Sequence, residues 1–226
     1  MSFVARINAA YLTCRSYAVS MPKIIGGSLQ EHREQTRNKL FAALSTLMAD
    51  RGFDAVSLAD IASAANVGRT AVYNHFADKE ALLIGFITHE TEQYVATLER
   101  ALSEVTDPVE QLRTYVRQQA NLSTVFHVAP GPDLRTVLSK STRMQLREHA
   151  IVVETILRRI LRAGIITRQF PDQNVDVTVR LINACLSGSH LPSDPAERAR
   201  AIDATEAFVL RAVGVPPRVA RFGVTR

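Results

Sequence analysis

Apolar residues recur along this chain with a helical period. Leu40, Phe41, Leu44, Leu47 and Met48 fall at i, i+1, i+4, i+7 and i+8, so they line one face of a helix that the pattern starts at Glu31 and that Gly52 closes. A second, short helix starts at Ser57. Its hydroxyl is placed to cap the helix while Asp60 reaches back from three residues on, and Leu58, Ile61, Ala62 and Ala65 turn inward. Asn66-Val67-Gly68 then breaks the chain with an Asn that tolerates the left-handed conformation. Residues 70–76 predict a third short helix with Val72, Tyr73 and Phe76 available for packing, and a fourth begins at Asp78-Lys79.

The helical signal continues to the far end. Asp107-Pro108-Val109-Glu110 and Asp194-Pro195-Ala196-Glu197 each combine an N-cap, a first-turn proline and a glutamate at the capping-box position. Between them Ala129-Pro130-Gly131-Pro132 interrupts the chain. Residues 141–163 read as a long helix closed by Gly164, and residues 173–187 as another. No stretch alternates as a strand would, so the expected fold class is all-α. Four parts are predicted: residues 1–30 as a flexible amino-terminal arm or upstream extension, 31–78 as a helix-turn-helix module, 79–214 as a helical regulatory and dimerisation domain, and 215–226 as a flexible tail.

Composition narrows the reading. With 226 residues, 46% of them apolar, the chain can bury a sizeable core, yet no apolar run approaches the roughly 18 residues that cross a bilayer. No membrane association is expected. Cys14 and Cys185 are the only cysteines, which forms neither a disulfide framework nor zinc-ligand spacing and fits a reducing, cytoplasmic setting. The net charge of +5 is unevenly placed. Residues 1–93 hold nine Lys/Arg against nine Asp/Glu, whereas residues 94–226 hold eighteen against thirteen. Bulk basicity therefore says nothing about the amino-terminal module, and an affinity for nucleic acid there has to come from placed side chains.

That placement is legible. Two short helices about a tight turn are the helix-turn-helix pattern, in which neighbouring helices hold one helix so that its outer face enters the roughly 12 Å major groove. The third helix offers Arg69, Thr70 and Asn74 on that face, with Ala71 beside them. Arg bonds guanine bidentately and Asn does the same to adenine. Tyr73, His75 and Lys79, with the amides at the start of the second helix at Ser57 and of the fourth, are candidates to hold phosphates. Arg33 and Arg37 on the first helix are left open between phosphate contact and a solvated face.

Over residues 33–93 the sequence resembles the TetR family of regulators. The resemblance rests on Ser57-Leu-Ala-Asp-Ile-Ala-Ser-Ala-Ala-Asn-Val-Gly-Arg-Thr-Ala-Val-Tyr-Asn-His-Phe76-Ala-Asp-Lys-Glu-Ala-Leu-Leu83, with its Tyr-x-His-Phe step and Lys-Glu-x-Leu-Leu helix start. Asn66 stands at the common turn glycine, and Gly68 where a Ser or Thr cap is usual. The resemblance implies that Tyr73, His75 and Lys79 hold the DNA backbone and that residues 69–74 read bases. It also implies a homodimer through the last two helices on a double-stranded palindromic operator, and a repressor released by a small-molecule effector.

For the dimer face, the apolar positions Val175, Val179, Ile182 and Leu186 on one helix, and Ile202, Thr205, Phe208, Val209 and Ala212 on the other, suit a four-helix bundle. For the effector, Tyr115, Phe126, His127, Met144, Asn183 and Cys185 are the candidate contacts. The alternative is a regulator that binds DNA constitutively or answers to a protein partner, with a filled core. No catalytic or metal-binding residues and no cofactor are expected. Gly-Ser-His at 188–190 lacks a nucleophile elbow, no phosphate loop follows a strand, and no His or acid pair has metal-ligand spacing.

Overall fold

The computed structural model describes residues 27–126, 134–187, 191–192 and 194–216. Among them are nine helices and no strand: α1 (Gly27–Arg51), α2 (Leu58–Ala64), α3 (Arg69–His75), α4 (Lys79–Ser103), α5 (Pro108–Phe126), α6 (Leu134–Val137), α7 (Lys140–Ile166), α8 (Val175–Ser187) and α9 (Pro195–Ala212). None is long and apolar enough to cross a membrane. The expected arm lies mostly outside the described residues, but α1 runs back to Gly27, four residues before the first helical position in the hydrophobic pattern. Its first turns are exposed, and an exposed segment carries no apolar period from which a start could be read. The Pro-Gly-Pro break and residues 188–190 lie outside the described residues.

The chain forms two compact units, residues 1–89 with 129–150, and residues 90–128 with 151–226. In the first, Leu40, Leu44, Ile61, Val72, Leu82 and Leu83 are fully buried together, one or two from each of α1 to α4. Burying each such side chain stabilises the unit by roughly 1.5–3 kcal/mol. Phe41 joins them and stands 5.8 Å from the Phe76 ring and 5.9 Å from Phe86. Gly52 closes α1 at φ 76°, and its N–H donates to the Met48 carbonyl at 2.9 Å, as a left-handed C-terminal stop does. Ser57 caps α2 through the reciprocal box with Asp60, and Asn66 takes the left-handed conformation at φ 52°. Asp78 accepts the Ala81 N–H at 2.7 Å and so caps α4.

The start of α7 belongs to this unit as well. Leu138 is buried in the same core. Glu80 accepts hydrogen bonds from the Ser139 N–H at 3.0 Å, from the Ser139 hydroxyl at 2.6 Å and from the Thr142 hydroxyl. One carboxylate of α4 thus gathers the residues that open α7.

In the second unit α5 packs on both α8 and α9. Glu206 on α9 is wholly enclosed and is met by two guanidiniums of α5, Arg113 and Arg117, the latter at 2.6 Å. Removing one partner from a buried pair costs roughly 3–5 kcal/mol because the survivor is left charged and dry. Asp107 caps α5 by accepting the Glu110 N–H at 3.0 Å, and the Glu110 carboxylate lies 3.0 Å from Arg113. Asp194 accepts the Glu197 N–H at 2.8 Å and caps α9.

Two expectations need correction here. Gly164 does not close α7, which continues to Ile166. The left-handed residue is Arg168 at φ 58°, and the Gln169 and Phe170 N–H groups return to the Gly164 carbonyl. Gly164 is needed for another reason: a Cβ there would lie 2.1 Å from the Phe170 ring. The second correction concerns the faces of the last helices. Val179, Ile182, Leu186 and Val209 are buried within the subunit. Apolar groups left outside on these helices include Val177, Leu181 and Ala184 on α8, and Ala204, Phe208 and Ala212 on α9. Both faces of α8 are apolar, so its periodicity alone did not say which one the subunit keeps.

Two measurements test these packing assignments. Gly164→Ala should lower the unfolding temperature by about 3–6 °C, because displacing the Phe170 ring costs roughly 1–3 kcal/mol and exceeds the helix-propensity gain of about 1 kcal/mol. An unchanged or raised midpoint would show that Phe170 yields freely. Glu80 is held below the usual carboxylate range by its bonds from Ser139 and Thr142. Its folded pKa lies below its unfolded one, so its contribution is present above the unfolded value and disappears as pH falls through the folded value. The stability advantage of the wild type over Glu80→Gln should therefore be full at neutral pH, begin to fall only as pH drops through the unfolded carboxylate value of about 4.3, and be lost in stronger acid. Thermal unfolding across that range reads it directly, and a constant difference would refute the assignment.

Candidate nucleic-acid interface

α3 is seven residues long and divides cleanly by exposure. Val72 is buried in the core of the unit and Ala71 is half-buried, while Arg69, Thr70, Tyr73 and Asn74 face outward. Tyr73 is 62% exposed, which is high for a large aromatic ring. Gly68 is the N-cap of α3 and supplies no side-chain bond, so the first amides of this helix end are left without one. Phe76 turns back to Phe41 and serves the core.

The other expected contacts are occupied to different degrees. The Ser57 hydroxyl donates to Asp60 Oδ2 at 2.7 Å and accepts the Asp60 N–H at 3.1 Å, which leaves it little freedom for another partner. Lys79 sends its ammonium to the Phe53 carbonyl at 2.9 Å and the Asp54 carbonyl at 3.3 Å, and sits 4.4 Å from the centre of the Phe53 ring. It closes the turn between α1 and α2. Sequence reasoning could not separate that task from phosphate contact, because Phe53 and Asp54 lie 26 and 25 residues away.

His75 is half-buried at the end of α3. Burial, then the charges of Arg33 and Arg37, hold its imidazole below the usual histidine range, so it is neutral at pH 7. Beside it a groove of about 460 Å³ runs between α1 and the end of α3, lined among others by Gln30, Arg33, Glu34, Arg37, Asn74 and His75. The signal for this groove in the sequence is the i, i+4 pair Arg33 and Arg37, whose partner on α3 only the fold reveals.

The effector candidates among the described residues fall in both compact units. Tyr115 is fully enclosed in the second unit, and its hydroxyl accepts the Gln119 amide N–H at 2.9 Å. Burial pushes its phenol upward, as it does for Tyr94, whose hydroxyl is enclosed without a hydrogen-bond partner among the described residues. Asn183 and Cys185 are half-buried on α8. Met144 lies on the part of α7 that belongs to the first unit and is 64% exposed. Its exposure follows from the helix register, since Thr142 and His149 carry the inward face there. The Phe126 side chain and His127 lie outside the described residues.

Comparison with known proteins agrees with this geometry. Residues 40–85 match the family model for bacterial regulatory proteins of the tetR family. The chain is 31% identical over 99 residues to the HTH-type transcriptional activator FasR of Mycolicibacterium smegmatis, a stretch that spans 44% of each protein. It is 23% identical over 163 residues to the HTH-type transcriptional regulator UidR of Escherichia coli, covering 69% of this chain and 80% of UidR. Among solved structures, the transcriptional regulator FadR from Bacillus subtilis in complex with stearoyl-CoA superposes with a TM-score of 0.63 at 17% identity, covering 78% of this chain and 97% of that one. These relatives regulate transcription and are not enzymes by name. Residues 40–85 thus carry the helix-turn-helix of the tetR family of bacterial regulatory proteins, and the chain along its length has the fold of solved regulators that share it.

Proposed function

We propose that this protein is a homodimeric repressor that reads a palindromic operator with α3 and leaves it when a small molecule binds. The observation that carries the reading is the outward face of α3, polar and aromatic, on a helix whose other face is locked into a core. In this reading Arg69, Thr70 and Asn74 contact base edges, with Ala71 in close approach, and Tyr73 and His75 hold phosphates. Ser57 and Lys79 contribute the amides of their helix starts rather than their side chains, which are already engaged. The reader is assigned to residues 31–78 and the regulatory and dimerisation part to 79–214.

A single short helix binds DNA weakly, so two readers must be held roughly 34–36 Å apart, or a multiple of it, to meet successive half-sites. The apolar groups left exposed on α8 and α9 supply a self-complementary face for the dimer. Leu181 is 66% exposed and Phe208 53%. Effector control draws support from FadR, whose structure contains stearoyl-CoA. The candidate contacts in this chain are Tyr115, Asn183 and Cys185, with Phe126 and His127. α4 begins directly after the reader and runs unbroken from Lys79 to Ser103, so an effector that shifts α4 would change the spacing of the two readers. A hundredfold loss of operator affinity requires about 2.7 kcal/mol of differential effector binding. One observation favours a regulator without an effector: Tyr115 is fully enclosed with its hydroxyl bonded to Gln119, as in a filled core.

Two experiments test these assignments. Operator selection from genomic DNA should return a palindrome. Arg69→Ala should weaken binding to it by about 10- to 100-fold and relax its specificity, whereas Tyr73→Ala should weaken binding to all sequences alike. Both residues are exposed, so unfolding temperatures should not move. Unchanged affinity in the double variant would remove α3 as the reader, and a bound complex that no small molecule in a broad panel releases would leave the constitutive reading. Leu181→Glu with Phe208→Glu should turn a dimer in sedimentation into a monomer that retains its helical circular dichroism, and a persistent dimer would place the interface elsewhere.

A further inference from the structure

One hydroxyl of the second unit is enclosed without a partner. Tyr94 on α4 is 8% exposed, and its Oη meets no hydrogen-bond partner among the described residues. Thr91, one turn back, and Leu98, one turn on, share its face of α4 and are buried with it. A buried phenol ordinarily gives its O–H to an acceptor, because a dry and unpaired hydroxyl destabilises the fold. For packing alone a phenylalanine would fill the same space without that cost.

A second phenol stands near it. Tyr115 on α5 is fully enclosed, and its charge, were it ionised, would push the Tyr94 phenol higher still. Tyr115 Oη accepts the Gln119 amide N–H at 2.9 Å, which leaves its own proton to donate. The interior thus offers two O–H donors. Charge sets the other half of the requirement. Glu154 is close enough to Tyr115 to raise its phenol. Four arginines of the unit already turn to carboxylates: Arg113 and Arg117 to Glu206, Arg158 to Glu154 and Asp176, and Arg159 to Glu99. An anion entering beside the phenols would find these guanidiniums neutralised and would be buried uncompensated.

We propose that Tyr94 and Tyr115 are the polar anchors of the effector site, and that the effector is an uncharged, largely apolar molecule whose carbonyl oxygen accepts both phenol O–H groups. A carbonyl oxygen has two lone pairs and so takes both donors, while an apolar body suits the buried faces of α4 and α5 around them. The inference rests on the reading that a small molecule controls operator binding. It adds Tyr94, which lies on the same unbroken helix as Lys79, so a ligand held at that hydroxyl bears directly on the helix that follows the reader.

The test uses the full chain. Tyr94→Phe removes only the hydroxyl and should unfold, without ligand, at or above the wild-type temperature. A clear fall would show that the hydroxyl is already bonded within the protein and would overturn its assignment. The probes are alkyl phenyl ketones from acetophenone to decanophenone, beside alkylbenzenes and phenylalkanoates of matched length. A ketone should bind saturably, tighter than its matched hydrocarbon or carboxylate by about tenfold or more, with its carbonyl stretch at lower frequency than in hexane. Tyr94→Phe should weaken that binding about tenfold and move the stretch back up. No saturable ketone binding, a hydrocarbon or carboxylate that binds as tightly, or a stretch that Tyr94→Phe leaves unmoved overturns the proposal. A ketone that binds through Tyr94 without releasing operator DNA keeps the two anchors but overturns their role as the effector site. Release of the operator by another molecule, equal in wild type and Tyr94→Phe, overturns the anchors and leaves effector control standing.

Discussion

The outward face of α3 depends on burying the other side of a seven-residue helix. α3 is too short to be stable alone, since isolated helices below about 12–15 residues are marginal in water. Its order comes from Val72, wholly buried among Leu40, Leu44, Ile61, Leu82 and Leu83. Because residues one and two positions away on a helix point elsewhere, fixing Val72 inward obliges Tyr73 and Asn74 outward and puts Arg69 and Thr70 at the open start. The left-handed Asn66 and the Ser57–Asp60 box fix how α2 enters and leaves, and so set the angle at which that face is offered.

Much of this was legible in the sequence because it depends on neighbours in the chain. A capping box spans three residues, a left-handed turn residue is one residue, and an amphipathic period repeats within two turns. Ser57, Asp60, Asn66, Gly52 and the α1 stripe were therefore readable. What was not readable involves partners distant in sequence or a choice between two faces. Lys79 looked like a free cation because its carbonyl acceptors lie on another turn. Gly164 looked like a helix stop because glycine commonly ends helices, and only the Phe170 ring pressed against it reveals why no side chain fits. Met144 is apolar yet exposed, and α8 is apolar on two sides, so composition could not tell core from surface. Glu206 gave no signal at all, since its two arginines are 93 and 89 residues away.

The charge pattern resolves an apparent contradiction. Residues 1–93, with nine acids and nine bases, have no bulk attraction for a polyanion, yet several of the carboxylates there are already engaged. Asp60 caps α2, Asp78 caps α4, and Glu80 holds Ser139 and Thr142. Each satisfies backbone or hydroxyl donors within the unit, which is the task that acids at helix starts perform. Arg33, Arg37 and Arg69 have no such engagement with a carboxylate among the described residues. Three of the nine acids are thus committed to helix starts, where their charge is met by backbone and hydroxyl donors.

The same acids bear on how a signal would reach α3. Glu80 stands one residue after Lys79 at the head of α4, and its oxygens gather the residues that begin α7. Both helices are long, and both pass from the first compact unit into the second. Their starts are therefore joined by hydrogen bonds from one carboxylate, next to the turn that Lys79 closes on Phe53 and Asp54. Sliding α7 against α4 would strain bonds to an ionised group, which are stronger than neutral ones and tolerate little lengthening. The two helices would then move together at this end, carrying the head of α4 with them. Hydrogen bonds at Glu80, together with Leu138 in the shared core, thus tie the starts of α4 and α7 to each other beside α3.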